Sequence, residues 1–171
     1  MATNSTSIGP PGQRLLAHLE AAWNLARWLT LDDHDAHDVV QEAFLRALRF
    51  EGGPIADARA WLLTIVRNTC YTWLAKNKRD LGLSWDDDAP DLAAADSDPG
   101  GALIQCEDRE QLRAALGHLP PIFREAIVLR ELEGLSYKQI SDVAGISIGT
   151  VMSRLSRGRR ELKRALAKEF M

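Results

Sequence analysis

Apolar residues recur at the three- and four-residue spacing of amphipathic helices in two blocks of the chain, with an aperiodic stretch between them. In the first block this spacing predicts helices over about 13–29, 35–49 and 57–76. In the second block it predicts four more, beginning near residue 103 and ending near residue 166. The expected fold class is therefore all-α, with two small helical domains joined by a connecting segment.

Composition sets the expected boundaries. Residues 1–12 are rich in Ser, Thr, Gly and Pro and predict a disordered tail, followed by a first domain over 13–83. Residues 84–102 combine repeated Asp with Ala, Pro and Gly, which predicts a flexible acidic linker before a second domain over 103–171. We expect that such a linker leaves the relative placement of the two domains open.

The most informative pattern is the stretch 135–166, which reads as two helices joined by a glycine turn. Ser136 and Gln139 form a capping-box pattern, Gly145 supplies a left-handed helix end, and Ser147 can cap the second helix. On that second helix we expect one apolar face, with Ile148, Val151, Leu155, Leu162 and Leu166. The opposite face is basic and hydroxyl-rich, with Thr150, Ser153, Arg157, Arg160 and Arg164.

Such a helix-turn-helix suits the major groove of duplex DNA. Arginine can reach guanine edges and phosphates, and short hydroxyl side chains allow a close approach. The plainer interpretation is a helical hairpin whose basic face is simply solvated. Two caps, the turn glycine and the one-sided arginines all favour the DNA-binding interpretation.

The net charge of −3 hides an uneven distribution. Residues 80–108 contain nine acidic residues and no Lys or Arg, whereas residues 109–171 contain twelve basic and seven acidic ones. This asymmetry indicates that different parts of the chain have different partners.

Cysteine usage and the N-terminus limit the class of protein further. Cys70 and Cys106 lack CxxC spacing, so we expect neither a zinc site nor a disulfide framework, and no cofactor. The N-terminus has no apolar run typical of a signal peptide, and no segment is long enough to span a membrane. The expected location is the cytoplasm.

The end of the third predicted helix combines amide, aromatic and basic side chains. These are Arg67, Asn68, Thr69, Tyr71, Trp73, Lys76, Asn77, Lys78 and Arg79. Aromatic rings beside cations form a stacking surface for unpaired bases, although Tyr71 and Trp73 could equally belong to the core.

Three motifs give the chain, from about Leu15 to Leu166, a resemblance to the extracytoplasmic-function (ECF) sigma factors of bacterial RNA polymerase. They are DVVQEAFLRA at 38–47, AWLLTIVRN at 60–68, and the long segment from LPPIFREAI to SRGR at 119–159. The third motif is highly specific, the first moderately so, and the second carries little weight alone. The resemblance implies a protein that binds core polymerase and directs promoter recognition, promoter melting and transcription initiation.

The resemblance also implies roles for particular residues. Docking on core polymerase falls to Asp38, Gln41, Glu42, Phe44 and Arg46. Capture of the melted minus-10 element falls to Arg67, Asn68, Thr69, Trp73, Lys76, Lys78 and Arg79. Reading of the duplex minus-35 element falls to Ser147, Thr150, Ser153, Arg154, Arg157, Arg160 and Arg164. Such proteins are commonly restrained by an anti-sigma factor, and their acidic linker enters the polymerase cleft.

The chain departs from the family pattern beyond the third helix. Many relatives place Asp four residues after the asparagine and further arginines beyond it, where this chain has Thr72, Trp73 and Ala75. No appended sensory domain is expected.

Two other functions remain to be weighed. A stand-alone helix-turn-helix regulator would need a self-complementary dimer surface and palindromic half-sites. An enzyme would need the acidic and histidine residues of 32–38 as a metal or acid–base cluster: Asp32, Asp33, His34, Asp35, His37 and Asp38. A solvated acidic helix N-terminus explains that cluster better, and we expect no catalytic residue.

Overall fold

The computed structural model describes residues 11–77 and 109–169, and both ranges are largely helical. The first range contains α1 (Pro11–Leu16), α2 (Leu19–Thr30), α3 (Asp33–Leu48) and α4 (Ala58–Lys76). The second contains α5 (Arg109–Gly117), α6 (Pro121–Ile127) with a π-helical continuation (Val128–Leu132), α7 (Tyr137–Ala144) and α8 (Ile148–Glu169). The all-α fold class is confirmed. The predicted linker at 84–102 lies outside the described residues, as do residues 1–10 of the predicted tail.

Two helices differ from the sequence-based expectation. The first predicted helix is divided, because the N–H of His18 bonds to the carbonyl of Leu15 (2.9 Å) in a tight turn between α1 and α2. The helix that begins at Pro121 widens at its end, where the N–H of Glu133 bonds five residues back to Val128 (3.0 Å). Neither feature has a signal in the hydrophobic spacing, which continues across both.

Each half has an apolar centre drawn from all its long helices. In the first half α2, α3 and α4 pack together, burying among others Leu25, Leu29, Leu62, Leu63 and Val66. In the second half α8 lies across α5, α6 and α7, burying among others Phe123, Ile127, Leu129, Val151 and Leu155. Removing such side chains from water is the main favourable contribution to the stability of each half.

The two halves are also packed against each other. Helix α2 contacts α6, α4 contacts α7, and the buried residues of both halves form one continuous cluster. Hydrogen bonds cross the contact: Arg124 Nη2 donates to the carbonyl of Leu29 (3.1 Å), and Gln139 Nε2 donates to Asp57 Oδ2 (3.2 Å). The relative placement that the linker composition left open is thus defined by the helices themselves.

Candidate nucleic-acid and polymerase interfaces

Helices α7 and α8 form a helix-turn-helix whose local hydrogen bonds are those the sequence predicted. The Ser136 hydroxyl accepts from the N–H of Gln139 (3.1 Å), and the Gln139 side chain accepts from the N–H of Ser136 (2.9 Å). Gly145 ends α7 in the left-handed conformation, with φ of 67°. The Ser147 hydroxyl then accepts from the N–H of Thr150 (3.1 Å) at the start of α8. These caps fix where one helix ends and the next begins.

The apolar face of α8 is buried as predicted, except at its first residue. Val151, Leu155 and Leu162 are almost fully buried against the rest of the second half. Ile148, by contrast, is exposed, so its assignment to the buried face was wrong. It stands at the start of α8 between Ser147 and Gly149, which are exposed as well, and the buried stretch of the helix begins only at Val151.

Met152 is a surface residue that the sequence interpretation missed. Its side chain is 54% exposed and lies four residues after Ile148, on the same side of α8. An apolar pair at the start of a recognition helix can contact the methyl groups of thymine in the major groove. The available signal was the position of Met152 directly after the buried Val151, which places it off the apolar face.

The residues predicted to read the minus-35 element occupy different environments on α8. Ser147 is exposed, and its hydroxyl lies 2.9 Å from that of Thr150. Arg164 is exposed and pairs with Glu161 (3.0 Å), while Ser153, Arg157 and Arg160 are half-buried. Arg154 is only 7% exposed, which removes it from the accessible surface of α8 in this arrangement.

On α4, the residues predicted to capture melted DNA likewise differ in how exposed they are. Asn68 and Lys76 are exposed, and Trp73 is half-buried. Thr69 is buried, and its hydroxyl donates to the carbonyl of Ile65 (2.8 Å), so it faces the helix rather than the surface. Trp73 also packs against the core, as does Tyr71, which is one of the two roles that composition left open for these rings. Lys78 and Arg79 lie outside the described residues.

Arg67, another residue of the predicted minus-10 set, is held by the second half of the chain. Its Nε donates to Oε1 of Glu125, and the hydroxyl of Tyr71 donates to Oε2 of the same carboxylate (2.8 Å). The Arg67 guanidinium also lies over the Tyr71 ring, 4.5 Å from its centre. Both oxygens of a carboxylate that is 1% exposed are thus satisfied from α4.

The electrostatics of this cluster follow from its burial. Burial alone would lower the pKa of the Arg67 guanidinium, but the adjacent Glu125 carboxylate outweighs this and raises it. Burial, with the Glu125 charge adding to it, raises the pKa of the Tyr71 hydroxyl, so Tyr71 remains a neutral hydrogen-bond donor at physiological pH. Burial also raises the pKa of the Cys70 thiol, which keeps that cysteine protonated.

The residues predicted to dock on polymerase lie along α3. Asp38, Gln41, Glu42 and Arg46 are exposed, Phe44 is half-buried, and Arg46 forms an ion pair with Glu42 one turn earlier. Three apolar side chains at the end of this helix and just beyond are exposed too: Leu45, Leu48 and Phe50. The apolar spacing of α3 predicts one side with Val39, Val40, Phe44, Leu45 and Leu48; Val39 and Val40 are buried there with Ala43 and Ala47, but the expectation is wrong for the two leucines.

The acidic and histidine residues of 32–38 lie at the N-terminal end of α3. Asp32 is the N-cap of α3 and accepts a hydrogen bond from the N–H of Asp35 (2.9 Å), which lowers the pKa of its carboxyl. Within the described residues no three His, Cys, Asp or Glu side chains are grouped as metal ligands. No helix in that part of the chain is long and apolar enough to cross a bilayer.

The fold and these surfaces define a two-part helical protein with a helix-turn-helix and a second exposed face on another helix. The Sigma-70 region 2 family matches residues 15–80, and the Sigma-70 region 4 family matches residues 109–162. The chain is 34% identical over 172 residues to the ECF RNA polymerase sigma factor SigE of Mycolicibacterium smegmatis, covering 98% of this chain and 66% of that protein. It is 36% identical over 135 residues to the ECF sigma factor EcfG of Rhodopseudomonas palustris, covering 77% and 71% respectively.

A solved structure matches both halves. It is the sigma factor RpoE of Bartonella quintana in complex with the anti-sigma factor NepR, with a TM-score of 0.67, 33% identity, and coverage of 91% of this chain and 95% of that one. The chain belongs to the ECF sigma factors, the promoter-recognition subunits of bacterial RNA polymerase. The expectation drawn from the three motifs is confirmed at the level of the family and its function.

Proposed function

We propose that the chain acts through three separate surfaces: α3 for core polymerase, the exposed end of α4 for the melted minus-10 strand, and α8 for the minus-35 duplex. The observation that carries this proposal is the position of each surface on a different helix, in a chain that belongs to the ECF sigma factors. The boundaries of the two functional domains are those of the sequence, 13–83 and 103–171. Such a factor is an initiation subunit without catalytic residues or cofactor, acting in the cytoplasm.

The polymerase-docking surface combines charge with apolar area. Asp38, Gln41, Glu42 and Arg46 supply polar contacts, and the exposed Leu45, Leu48 and Phe50 extend them with apolar side chains. An apolar centre with a polar rim is typical of a protein–protein interface. Clustered exposed side chains of this size are uncommon on a surface that never meets a partner.

Substitutions on α3 test this surface. Leu45→Asp with Leu48→Asp should abolish copurification with core polymerase, because the charges would be buried without partners at the interface. Both leucines are exposed, so the fold should tolerate the change. Leu16→Asp is the control, since Leu16 is exposed as well but lies on α1. Unchanged copurification of the double variant would contradict docking through α3.

The DNA surfaces are proposed in narrower form than the sequence suggested. Asn68, Trp73 and Lys76 are accessible on α4. On α8 the residues at or near the surface are Ser147, Thr150, Ser153, Arg157, Arg160 and Arg164. Arg157 and Ser153 lie mid-helix and would approach base edges, while Arg160 and Arg164 would meet phosphates. We assign Thr69 a structural role, because its hydroxyl donates a hydrogen bond to a backbone carbonyl of α4.

A DNA-binding titration separates this function from that of a stand-alone regulator. One helix-turn-helix makes few phosphate contacts, and the melted strand is absent until polymerase opens the duplex, so the isolated chain should bind promoter DNA weakly. Core polymerase should convert two weak contacts into one tight one by holding both halves on the same DNA. Tight, sequence-specific binding by the chain alone, with a Kd of about 10⁻⁸ M or lower, would favour the regulator.

Control by an anti-sigma factor is part of the proposal. The solved relative from Bartonella quintana was determined in complex with the anti-sigma factor NepR, and it matches this chain over both halves. A partner that contacts both halves would keep α3 from polymerase and α8 from DNA at the same time. Affinity purification of the tagged chain from its own cells should recover such a partner separately from polymerase.

A further inference from the structure

Two exposed apolar side chains stand at the start of α8, in the part of a helix-turn-helix that lies nearest the bases. Ile148 is 46% exposed and Met152 is 54% exposed. Both belong to the first five residues of α8, and the N-terminal residues of a recognition helix contact base edges in the major groove. Because apolar surface in water is unfavourable, a partner that covers this pair gains free energy of binding.

Met152 protrudes from its side of α8, because its neighbours along the helix are small. Gly149, three residues earlier, has no side chain, and Ser156, four residues later, has a short one. Residues at these spacings share one side of a helix. A Cβ atom on Gly149 would have Ser147 Oγ as its nearest contact, at 3.8 Å, so the surface before Met152 is open. The unbranched, flexible thioether side chain can therefore adjust to the floor of a groove.

The charge of α8 indicates which partner covers the pair. The helix contains seven basic and two acidic residues, so the apolar pair begins a strongly positive element. Ser153 and Arg157, which are proposed to approach base edges, follow Met152 by one and five residues. The pair is therefore continuous with the proposed duplex surface. A groove lined by phosphates complements the positive charge, and its floor carries apolar groups for the pair to cover.

The chemistry of Met152 limits what it can recognise in that groove. The four base pairs present hydrogen-bond donors and acceptors at their major-groove edges, and thymine alone adds an apolar group, the C5-methyl. A thioether is at most a weak acceptor, so Met152 would leave the amino group of cytosine without a good partner and without water. Thymine offers the same side chain an apolar contact. The preference of this position is therefore for thymine over cytosine.

We propose that Met152, with Ile148 one turn before it, reads the C5-methyl group of a thymine in the minus-35 duplex. The inference rests on the duplex surface proposed for α8 and adds the base that the start of this helix selects. Covering one methyl group corresponds to a change of about fourfold in affinity. Because the methyl group itself is read, 5-methylcytosine should be accepted better than cytosine at the same position, so this chain's promoter recognition depends on C5-methylation of the base.

Selection from a promoter library locates the position that Met152 reads. Holoenzyme reconstituted from the full chain and core polymerase is offered promoter fragments with a randomised minus-35 region. Wild type should enrich thymine at one position or two neighbouring ones, and Met152→Ala and Ile148→Ala should lose that preference while keeping the others. Both side chains are exposed, so the fold should tolerate the changes. Leu19→Ala is the matched control, since Leu19 is 42% exposed but lies on α2 in the first half.

Base analogues at the enriched position then isolate the methyl group. Labelled promoter fragments carry thymine, uracil, cytosine or 5-methylcytosine there, and their affinities for the holoenzyme are compared by competition. Thymine and uracil present the same hydrogen-bonding groups, as do 5-methylcytosine and cytosine, so each ratio reports the methyl group alone. In wild type both ratios should be about fourfold in favour of the methylated base. In Met152→Ala both ratios should fall to about one, and Met152→Leu should restore them, because leucine keeps an apolar side chain of similar size.

Four outcomes would overturn the inference. Equal affinity of wild type for thymine and uracil would do so without reference to any variant. A ratio that persists in Met152→Ala would mean that another residue reads the methyl group. If Met152→Ala weakened binding to core polymerase and left the ratios unchanged, the pair would contact a protein instead of DNA. The fourth outcome reaches the proposed function itself: if the holoenzyme selected no base in the minus-35 region and Arg157→Ala changed nothing, α8 would not read the duplex at all.

Discussion

At the scale of single residues, Gly158 shows why α8 can lie so close to α6. A Cβ atom at this position would come within 3.1 Å of Ile127 Cγ1 and 3.3 Å of the Phe123 backbone carbonyl oxygen. A methyl group therefore requires α6 or α8 to shift by a few tenths of an ångström. Because α8 carries the proposed duplex-reading surface, this small residue sets the position of that surface against the core.

Two alanine substitutions on the same helix test this close approach. Gly149 has no crowding neighbour, with Ser147 Oγ at 3.8 Å, so Gly149→Ala should gain helix stability of up to about 1 kcal/mol. Gly158→Ala gains the same propensity but meets α6, so it should be less stable than Gly149→Ala by at least about 1 kcal/mol. Urea denaturation of both variants measures the difference. Equal stabilities would mean that α6 yields to the methyl group without cost.

Asp57 is the second residue-scale case, because it caps α4 and bonds to the other half. Its carboxylate accepts from the N–H of Ala60 (3.0 Å), the largest of the interactions that lower the pKa of this carboxyl below its ordinary value of 3.8. The folded chain therefore binds this proton less readily than the unfolded chain. The stabilising contribution is fully present above the ordinary value and is lost as the pH falls through the lowered one.

Substitution at Asp57 separates capping from charge. Asp57→Ala should cost about 1 kcal/mol at pH 7, because the N–H of Ala60 loses its acceptor. Asp57→Asn keeps a capping oxygen and should cost less, while removing the acid-dependent part of the stability near pH 3. Denaturation midpoints at both pH values provide the measurement. A pH dependence unchanged in Asp57→Asn would show that this carboxyl contributes nothing to acid sensitivity.

At the scale of elements, α6 ties together the ends of two other helices through one buried side chain. Arg124 Nη1 donates to the carbonyls of Leu116 and Leu119 (3.3 Å each), and Nη2 donates to the carbonyl of Leu29 (3.1 Å). These acceptors lie at or near the C-terminal ends of α5 and α2, where helix carbonyls lack internal partners and the dipole favours a cation. One guanidinium thus donates hydrogen bonds to carbonyl groups at the C-terminal end of one helix in each half.

Replacing Arg124 should therefore be costly even when the charge is kept. Arg124→Lys retains a cation, but a compact ammonium lacks the planar, forked donors of a guanidinium and leaves some buried carbonyls unsatisfied. We expect a loss of about 2–3 kcal/mol in unfolding free energy, the cost of one or two unpaired buried polar groups. Arg14→Lys, on the exposed surface of α1, is the control and should change little. A loss below about 0.5 kcal/mol would contradict this role.

Local signals account for the elements that could be predicted from the sequence. The capping box at Ser136 and the left-handed Gly145 depend on hydrogen bonds between residues at most four apart. They can therefore be recognised in the sequence without tertiary structure. Periodicity marks an apolar side of α3 but not how much of that side is buried, so the spacing alone does not show that Leu45 and Leu48 are exposed. Arg67 and Glu125 are 58 residues apart, and neither position carries a local mark of the other. The ion pair between them could be found only from the packed structure.

At the scale of the whole molecule, the shared interface predicts that the stabilities of the two halves are coupled. Leu62 and Leu129 are both fully buried, one in each half. Four of the five tryptophans, Trp23, Trp28, Trp61 and Trp73, lie in residues 11–77, and residues 109–171 contain none. Tryptophan fluorescence therefore reports mainly on the first half, whereas helical circular dichroism reports on both.

This distribution allows a direct test of coupling. If the halves unfold as one unit, Leu129→Ala should cost about 2–5 kcal/mol and shift the fluorescence-detected Tm, although the substitution lies in the half without tryptophan. Leu62→Ala should shift the fluorescence and circular-dichroism transitions by equal amounts. Adding Glu125→Gln should weaken the coupling, so that Leu129→Ala no longer moves the fluorescence transition. If Leu129→Ala already left that transition unmoved in the otherwise native chain, the two halves would unfold independently, which would contradict the predicted coupling.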